Sequence, residues 1–301
     1  MREHEAGDRL QGKVAVITGS TRGLGLAIAH AFAAQGARLV VSSRSADAVD
    51  EAVSALRAAG GEATGRACDV ADLGQVRALM EHARRTFGVP DVWINNAGLS
   101  APYGPTVQVP PERFLKVIGT NVLGTYHGSL VAMEQMAPRR RGKLINLLGR
   151  GDRRPVPKQN AYASSKAWIR SFTRALATEQ RDSGVGVYAF NPGLVDTDLV
   201  RQPEAIAGFA AEMEPLRTVL RLWANPPAVP AARAVWLASA ATDGKTGLEV
   251  NVLGSAQLLL GVATDGLRRL LRRPAPEVEL HVRTVPAHTP PDPAAGPRET
   301  P

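Results

Sequence analysis

Tyr162 and Lys166 stand four residues apart in Ala161-Tyr162-Ala163-Ser164-Ser165-Lys166, within a helical pattern over about 160–181. Side chains at i and i+4 share a helix face, so this spacing aims a phenol and an ammonium at one ligand. A free tyrosine, with a pKa of about 10, exchanges protons poorly at neutral pH. A nearby cation favours the phenolate and lowers that value, fitting the group to exchange a proton with a carbonyl or alcohol oxygen. A second feature bears on the same chemistry: no Ser or Thr occurs from Leu130 to Ala163. Taken alone, a Tyr/Lys pair is ordinary helix surface; its weight depends on the elements that position it.

Those elements alternate. Short β-branched runs at 14–17, 39–42, 63–67, 92–94, 143–148, 185–190 and 248–252 are interleaved with helical patterns at about 24–35, 47–59, 72–87, 111–136, 160–181 and 227–240. This is the βαβ signature, and strands apolar on both faces imply helices on both sides. The expected fold is α/β: a single Rossmann-type doubly wound parallel sheet of about seven strands. The expected organisation is an N-terminal arm (1–10), a nucleotide-binding domain (11–255), an amphipathic helical extension (256–273) and a Pro-rich, disordered tail (274–301).

The first strand runs into Thr18-Gly19-Ser20-Thr21-Arg22-Gly23-Leu24-Gly25 and then a helix. Glycines let the backbone turn tightly and approach a pyrophosphate, whose charge meets the helix N-terminus. About twenty residues further on, an acid would accept a ribose 2′-hydroxyl and favour NAD. This chain has Ser42-Ser43-Arg44 there. Arg44, helped by Arg22, could clamp a 2′-phosphate through charge-assisted hydrogen bonds, so NADP(H) is favoured over NAD(H).

The spacing Thr-Gly-x-x-x-Gly-x-Gly resembles that of the short-chain dehydrogenase/reductase family, in its standard-length branch. Further segments match in order. Cys68-Asp69-Val70 is similar to the adenine-contacting segment, which assigns Asp69 and Val70 to the cofactor. Asn95-Asn96-Ala97-Gly98 resembles the motif lying along the cofactor, and Thr120-Asn121-Val122-Leu123-Gly124 the helix with the family's active-site asparagine. Tyr162 and Lys166 match Tyr-x-x-x-Lys. Asn191-Pro192-Gly193-Leu194-Val195-Asp196-Thr197 resembles the loop at the nicotinamide end, assigning Pro192, Gly193, Val195 and Thr197. The match covers about residues 10–254, although the usual acidic-Gly-Gly close is replaced by Asn251-Val252-Leu253-Gly254. The resemblance implies hydride transfer between NADPH and a carbonyl or secondary alcohol. Tyr162 would be the general acid/base, Lys166 would hold the nicotinamide ribose, and Asn121 would position a water.

The departure lies thirteen residues before the tyrosine, where the family has a serine that bonds the substrate carbonyl and this chain has Gly149. Losing one oxyanion donor typically costs about 10²–10³ in rate. Three readings remain open. Another donor substitutes, from Arg150, Ser100 or the backbone N–H groups of 149–151; or glycine makes room for a substrate held elsewhere; or the protein binds NADP with little or no reductase activity and serves as a cofactor-responsive binding protein.

Apolar content of 44% and charge of 21% are those of ordinary globular proteins. The net charge of +8 comes largely from arginines at 139–141, 150–154 and 268–273, without the aromatic interleaving of a nucleic-acid face. One cysteine, Cys68, excludes an internal disulfide, speaks against a metal cluster and fits a reducing cytoplasm. The apolar residues Met213, Leu216, Val219, Leu220, Leu222 and Trp223 lie in the segment that, in the resemblance, closes over substrate; they suggest a lipophilic one or merely pack helices. In the extension, Leu258, Leu259, Leu260, Val262, Leu267, Leu270 and Leu271 mix with Arg268, Arg269, Arg272 and Arg273. Packing on its own domain or on a neighbouring subunit is expected there ahead of contact with an anionic membrane surface. By analogy with the family, a homodimer or homotetramer is expected.

Overall fold

Successive residues of the first strand, β1 (Val14–Thr18), leave it on opposite sides, and all five are buried. Such a strand needs cover on both faces. The protein, in a computed structural model that describes residues 9–271, 274 and 276–289, provides it. The chain continues through α1 (Gly23–Ala33), β2 (Arg38–Ser43), α2 (Ala46–Ala58), β3 (Glu62–Ala67), α3 (Leu73–Phe87) and β4 (Val92–Asn95). Next come α4 (Pro111–Val117), α5 (Gly124–Met136), β5 (Gly142–Leu147), α6 (Asn160–Glu179) and β6 (Val185–Asn191). The remainder is α7 (Asp198–Arg201), β7 (Glu204–Ile206), α8 (Pro215–Trp223), α9 (Ala228–Ala238), β8 (Glu249–Asn251), α10 (Ser255–Leu270) and β9 (Arg283–Val285).

Seven strands form one sheet in the order β3-β2-β1-β4-β5-β6-β8, with every neighbour parallel. Alternation within the strands divides the core. Ala15, Ile17, Leu39 and Val41 pack with Ile28, Phe32, Leu56 and Leu237, while Val16, Val40 and Trp93 pack with Val76, Leu79, Val131 and Met136. Each fully buried aliphatic or aromatic side chain contributes about 1.5–3 kcal/mol. The order reverses between β1 and β4, which opens a crevice at the carboxyl ends of the strands.

The seven expected strands and six helical patterns are present, with ends shifted by a few residues. Three segments differ. The pattern over 111–136 is interrupted by a π turn, Ile118–Leu123, which hydropathy does not register because the chain stays helical through it. Residues 198–223 carry α7, β7 and α8. The tail, expected to be disordered from 274, runs extended over 276–289, where Arg283–Val285 pairs parallel with Glu204–Ile206 and Leu280 is buried. Proline content there reflects an edge strand and its flanks, which need few backbone donors. The expected arm, apart from its last two residues, and the tail beyond 289 lie outside the described residues. In the extension, α10 docks on α8 through Gly261, whose Cβ position lies 2.7 Å from Leu222 O. The leucine stripe does not make that contact: Leu259, Leu260 and Leu270 remain 72%, 63% and 79% exposed.

Candidate active site

The glycine loop is shaped by contact with the end of β4. Gly19 and Gly23 have φ of +63° and +55°, and a Cβ on Gly19 would lie 2.8 Å from the Ala97 Cα. A Cβ on Gly25 would run into Gly19 O and Asn96 Nδ2. Asn96 Nδ2 donates to Thr18 O (2.8 Å) and Gly19 O (2.9 Å), and Thr18 Oγ1 accepts from the N–H groups of Asn96 and Ala97 (both 3.1 Å). Beneath them, Asn95 Nδ2 donates to Asn146 Oδ1 (2.8 Å), joining β4 to β5. The first turn of α1 has no side-chain cap, so its backbone N–H groups are left for an anion.

A single cleft of about 780 Å³ runs from this loop across the carboxyl ends of the strands. Gly19, Thr21, Arg22, Gly23, Leu24 and Gly25 form one end with Ser43 and Arg44. Both arginines are exposed and have no ion-pair partner among the described residues. Asp69, Val70, Asn96, Ala97 and Gly98 form the floor, and Pro192, Gly193, Val195 and Thr197 the facing wall. Tyr162, Lys166, Arg150 and Ser100 stand at the far end. The uncapped helix and the glycine cradle together fit the pyrophosphate of a dinucleotide.

Three expected residues sit elsewhere. The Ser20 side chain turns into the sheet, donating to Ile17 O (2.6 Å) and accepting from Ser42 N (3.1 Å). Asn121, on the π turn, is fully buried behind the cleft wall: Oδ1 accepts from Leu99 N (2.8 Å), and Nδ2 donates to Leu99 O (3.0 Å) and Ser165 Oγ (2.9 Å). Ser165 Oγ in turn donates to Tyr162 O (2.7 Å), so the amide braces the helix that bears the Tyr/Lys pair. Gly149 is buried and does not line the cleft, and a Cβ on it would run into the Tyr162 hydroxyl. The room left by glycine is thus taken by the phenol itself.

Lys166 is 5% exposed; its Nζ donates to Leu147 O (3.0 Å) and lies 5.6 Å from the centre of the Tyr162 ring. Burial brings the ammonium down to about 8. The expected lowering of the tyrosine is reversed: burial first, and then the Asp152 carboxylate, push Tyr162 up to about 12. Desolvation outweighs the neighbouring lysine because an ammonium driven toward neutrality offers little stabilisation to a phenolate. Burial and the adjacent Asp69 also raise the Cys68 thiol to about 12, so it is an unreactive wall residue.

The apolar wall comes from α8 and the segment before it. Leu216, Val219 and Trp223 recur at helical spacing and face the cleft with Met213, Leu199, Val200 and Pro203, whereas Leu220 turns into the interior. Gln159, Asn191, Leu194, Asn251 and Leu253 also line the cleft and were missed in the sequence. Gln159 had a readable signal, since it lies one helical turn before Tyr162. Asn251 and Leu253 follow the last strand, at the same carboxyl-end level as the rest of the site.

Comparison with known proteins gives a consistent picture. The family model described as short chain dehydrogenase matches residues 13–205. The 3beta-hydroxysteroid dehydrogenase 1 of Eggerthella lenta is 35% identical over 256 residues, 84% of this chain and 97% of that protein. The 3-oxoacyl-(acyl-carrier-protein) reductase FabG of Pseudomonas aeruginosa is 35% identical over 65% of this chain and 79% of its own. Among solved structures, a variant of actinorhodin polyketide ketoreductase with NADPH superposes with a TM-score of 0.73 at 27% identity, covering 83% of this chain and 99% of that one.

Proposed function

The chain belongs to the short chain dehydrogenase family and is an oxidoreductase acting on CH–OH and C=O groups; we propose that it uses NADP(H) to interconvert a lipophilic carbonyl compound and its secondary alcohol. The observation that carries this reading is one continuous cleft with Arg22 and Arg44, without ion-pair partners among the described residues, at one end, Tyr162 and Lys166 at the other, and an apolar wall beside them. NADPH, when bound, supplies the hydride.

The chain's own residues do the rest. Arg22, Arg44 and the N–H groups of α1 hold phosphate charge. Pushed up to about 12, Tyr162 keeps its proton at neutral pH, the form needed to donate from Oη to a carbonyl oxygen. Lys166, when charged, donates from Nζ and stabilises the phenolate left after that transfer. Asn121 holds the geometry of the pair through Ser165, beside the water-positioning role that the resemblance implies. Arg150 is the donor that substitutes for the missing hydroxyl, because it lines the cleft with no ion-pair partner among the described residues, while the Ser100 hydroxyl donates to Ala101 O (3.2 Å). Arg44 in place of an acid supports NADP(H) over NAD(H). Tyr126 on α5 and Trp168 on α6, both exposed and both packed on the Phe172 ring, support a homodimer or homotetramer. A single buried cysteine fits the cytoplasm, and among the described residues no helix is long and apolar enough to cross a membrane.

The test is oxidation of NADPH by the full chain against a panel of carbonyls graded in size and polarity, beside its Tyr162→Phe variant. Turnover by the first and its loss in the second, with NADPH affinity retained, is the expected result. Tight NADPH binding without turnover of any carbonyl would favour the cofactor-responsive binding protein.

A further inference from the structure

Segment 276–289 hydrogen-bonds to α7, β7 and α8, beside the apolar wall of the cleft. Arg217, on α8, donates to Val278 O (2.9 Å) and Leu280 O (3.2 Å). His281 N donates to Arg201 O (2.8 Å), Arg283 N to Pro203 O (3.0 Å), and Ala207 N to Val285 O (2.9 Å). Beyond β9, His288 N donates to Gln108 O (2.8 Å). Leu280, 5% exposed, plugs the junction.

None of these tail residues touches the cleft, yet most of the bonds land next to a residue that does. Arg201 follows Val200, Arg217 follows Leu216, and Pro203 lines the cleft itself. The opposite edge of β7 is held as well, since Tyr103 N donates to Glu204 O (2.8 Å) and Ile206 N to Tyr103 O (2.9 Å). β7 is therefore fixed on both sides, where a free connecting loop would have solvated edges. At the other end of α8, Trp223 Nε1 donates to Leu258 O (3.1 Å) and Arg221 pairs with Asp265 (3.3 Å), both on α10.

We propose that residues 276–289 are a specificity-determining clamp: by fixing α7, β7 and α8 from outside, they hold Val200, Pro203, Leu216 and Val219 as a standing wall for a large apolar carbonyl compound. This rests on the functional reading above. A wall ordered before the ligand arrives does not charge its ordering entropy against binding. A large apolar ligand gains most because it contacts the whole wall. A small one touches only the Tyr162 end and is indifferent to the clamp. Arg217 and Leu280 are positioning residues here, acting through α8.

The experiment compares the full chain, a chain ending at residue 275, Arg217→Ala and Leu280→Asp. Affinity of the NADP-loaded proteins for a fused-ring steroid ketone and for cyclohexanone is measured by calorimetry, beside NADP affinity and amide exchange over 198–223. The expected result is at least a tenfold loss for the steroid ketone, less than a twofold change for cyclohexanone and NADP, and faster exchange over 198–223. An equal loss for both ketones, no loss despite faster exchange, or no binding of the large ketone by the full chain would overturn the clamp. The point variants keep the test sharp if the shortened chain fails to fold. Turnover is read separately: selective ketone binding without NADPH oxidation would sink the reductase reading and leave the clamp standing.

Discussion

The Tyr162 hydroxyl occupies the space that a Cβ on Gly149 would need. The absent side chain and the phenol are therefore coupled: glycine lets Tyr162 sit deeper than it could beside a serine. Restoring the hydroxyl by Gly149→Ser should then lower activity, because the new Cβ must displace the proton donor. Overpacking of this kind typically costs about 1–3 kcal/mol of stability. A fall in melting temperature together with a fall in kcat is the expected pair of readings. A gain in kcat would show instead that glycine is no more than a lost donor.

In the proposed function Arg150 meets the developing charge on a carbonyl oxygen. Arg150→Ala should reduce kcat by about 10²–10³, the usual effect of removing one oxyanion donor, with a smaller change in NADPH affinity. Arg150→Lys should recover part of the loss, since the charge remains and only the planar fork is gone. Steady-state kinetics on the best carbonyl substrate checks both, and an unchanged kcat in the alanine variant would eliminate this residue.

At the other end of the cleft, Arg44 should read the ribose 2′-phosphate. Charge-assisted hydrogen bonds contribute about 1.5–3 kcal/mol, so Arg44→Ala should weaken NADPH by roughly 10- to 100-fold while leaving NADH nearly unchanged. Fluorescence titration with both cofactors gives the ratio. Equal weakening of the two would place Arg44 outside the phosphate subsite.

The parallel sheet and the glycine loop were legible because each depends on local pattern, doubly apolar strands in one case and glycines between a strand and a helix in the other, whereas the strand order rests on pairing between distant segments. The Tyr162/Lys166 pair was legible through one helical turn. The bracing of the Asn121 amide was not legible, because the π turn that buries it depends on a tertiary fit with Leu99 and Ser165. The shift of Tyr162 was read in the wrong direction, since sequence shows the neighbouring lysine and hides the burial of both groups. The tail was misread for a related reason: β9 spans three residues, and its partner β7 lies about eighty residues upstream, beyond any local signal.

Lys166 sets a pH dependence whose sign follows from burial. Its value falls from 10.5 to about 8 in the folded protein, so the ammonium that would hold the cofactor ribose is lost as pH rises through about 8. NADP(H) affinity should be flat below that point and weaken above it, and the step should vanish in Lys166→Met. Stability runs the other way. Between about 8 and 10 the unfolded lysine holds a proton that the folded one lacks, so the cofactor-free protein gains stability as pH rises. Two groups oppose this: Cys68, raised from 9.0 to about 12, above pH 9, and Tyr162, raised from 10.0 to about 12, above pH 10, because in each case the unfolded group ionises first. Denaturation midpoints should climb between pH 8 and 9 in the wild type, level off above pH 9, and climb less in Lys166→Met.

The outer faces of α5 and α6 carry an aromatic cluster that the single chain leaves open. Trp168 stacks on Phe172 at 4.8 Å, Tyr126 meets Phe172 edge-on at 6.3 Å, and Leu123, Tyr126 and Trp168 are 44%, 42% and 37% exposed. Contiguous apolar surface of this kind is costly in water and marks an interface. Helices related by a two-fold axis would bury the patch against itself, because the same residues are offered from both sides. Light scattering on the full chain should give a dimer or tetramer, and Trp168→Glu with Tyr126→Glu should shift it toward monomer while NADPH affinity changes less than about threefold, since neither side chain reaches the cleft. A monomeric wild type at micromolar concentration would show that the cluster is surface packing alone.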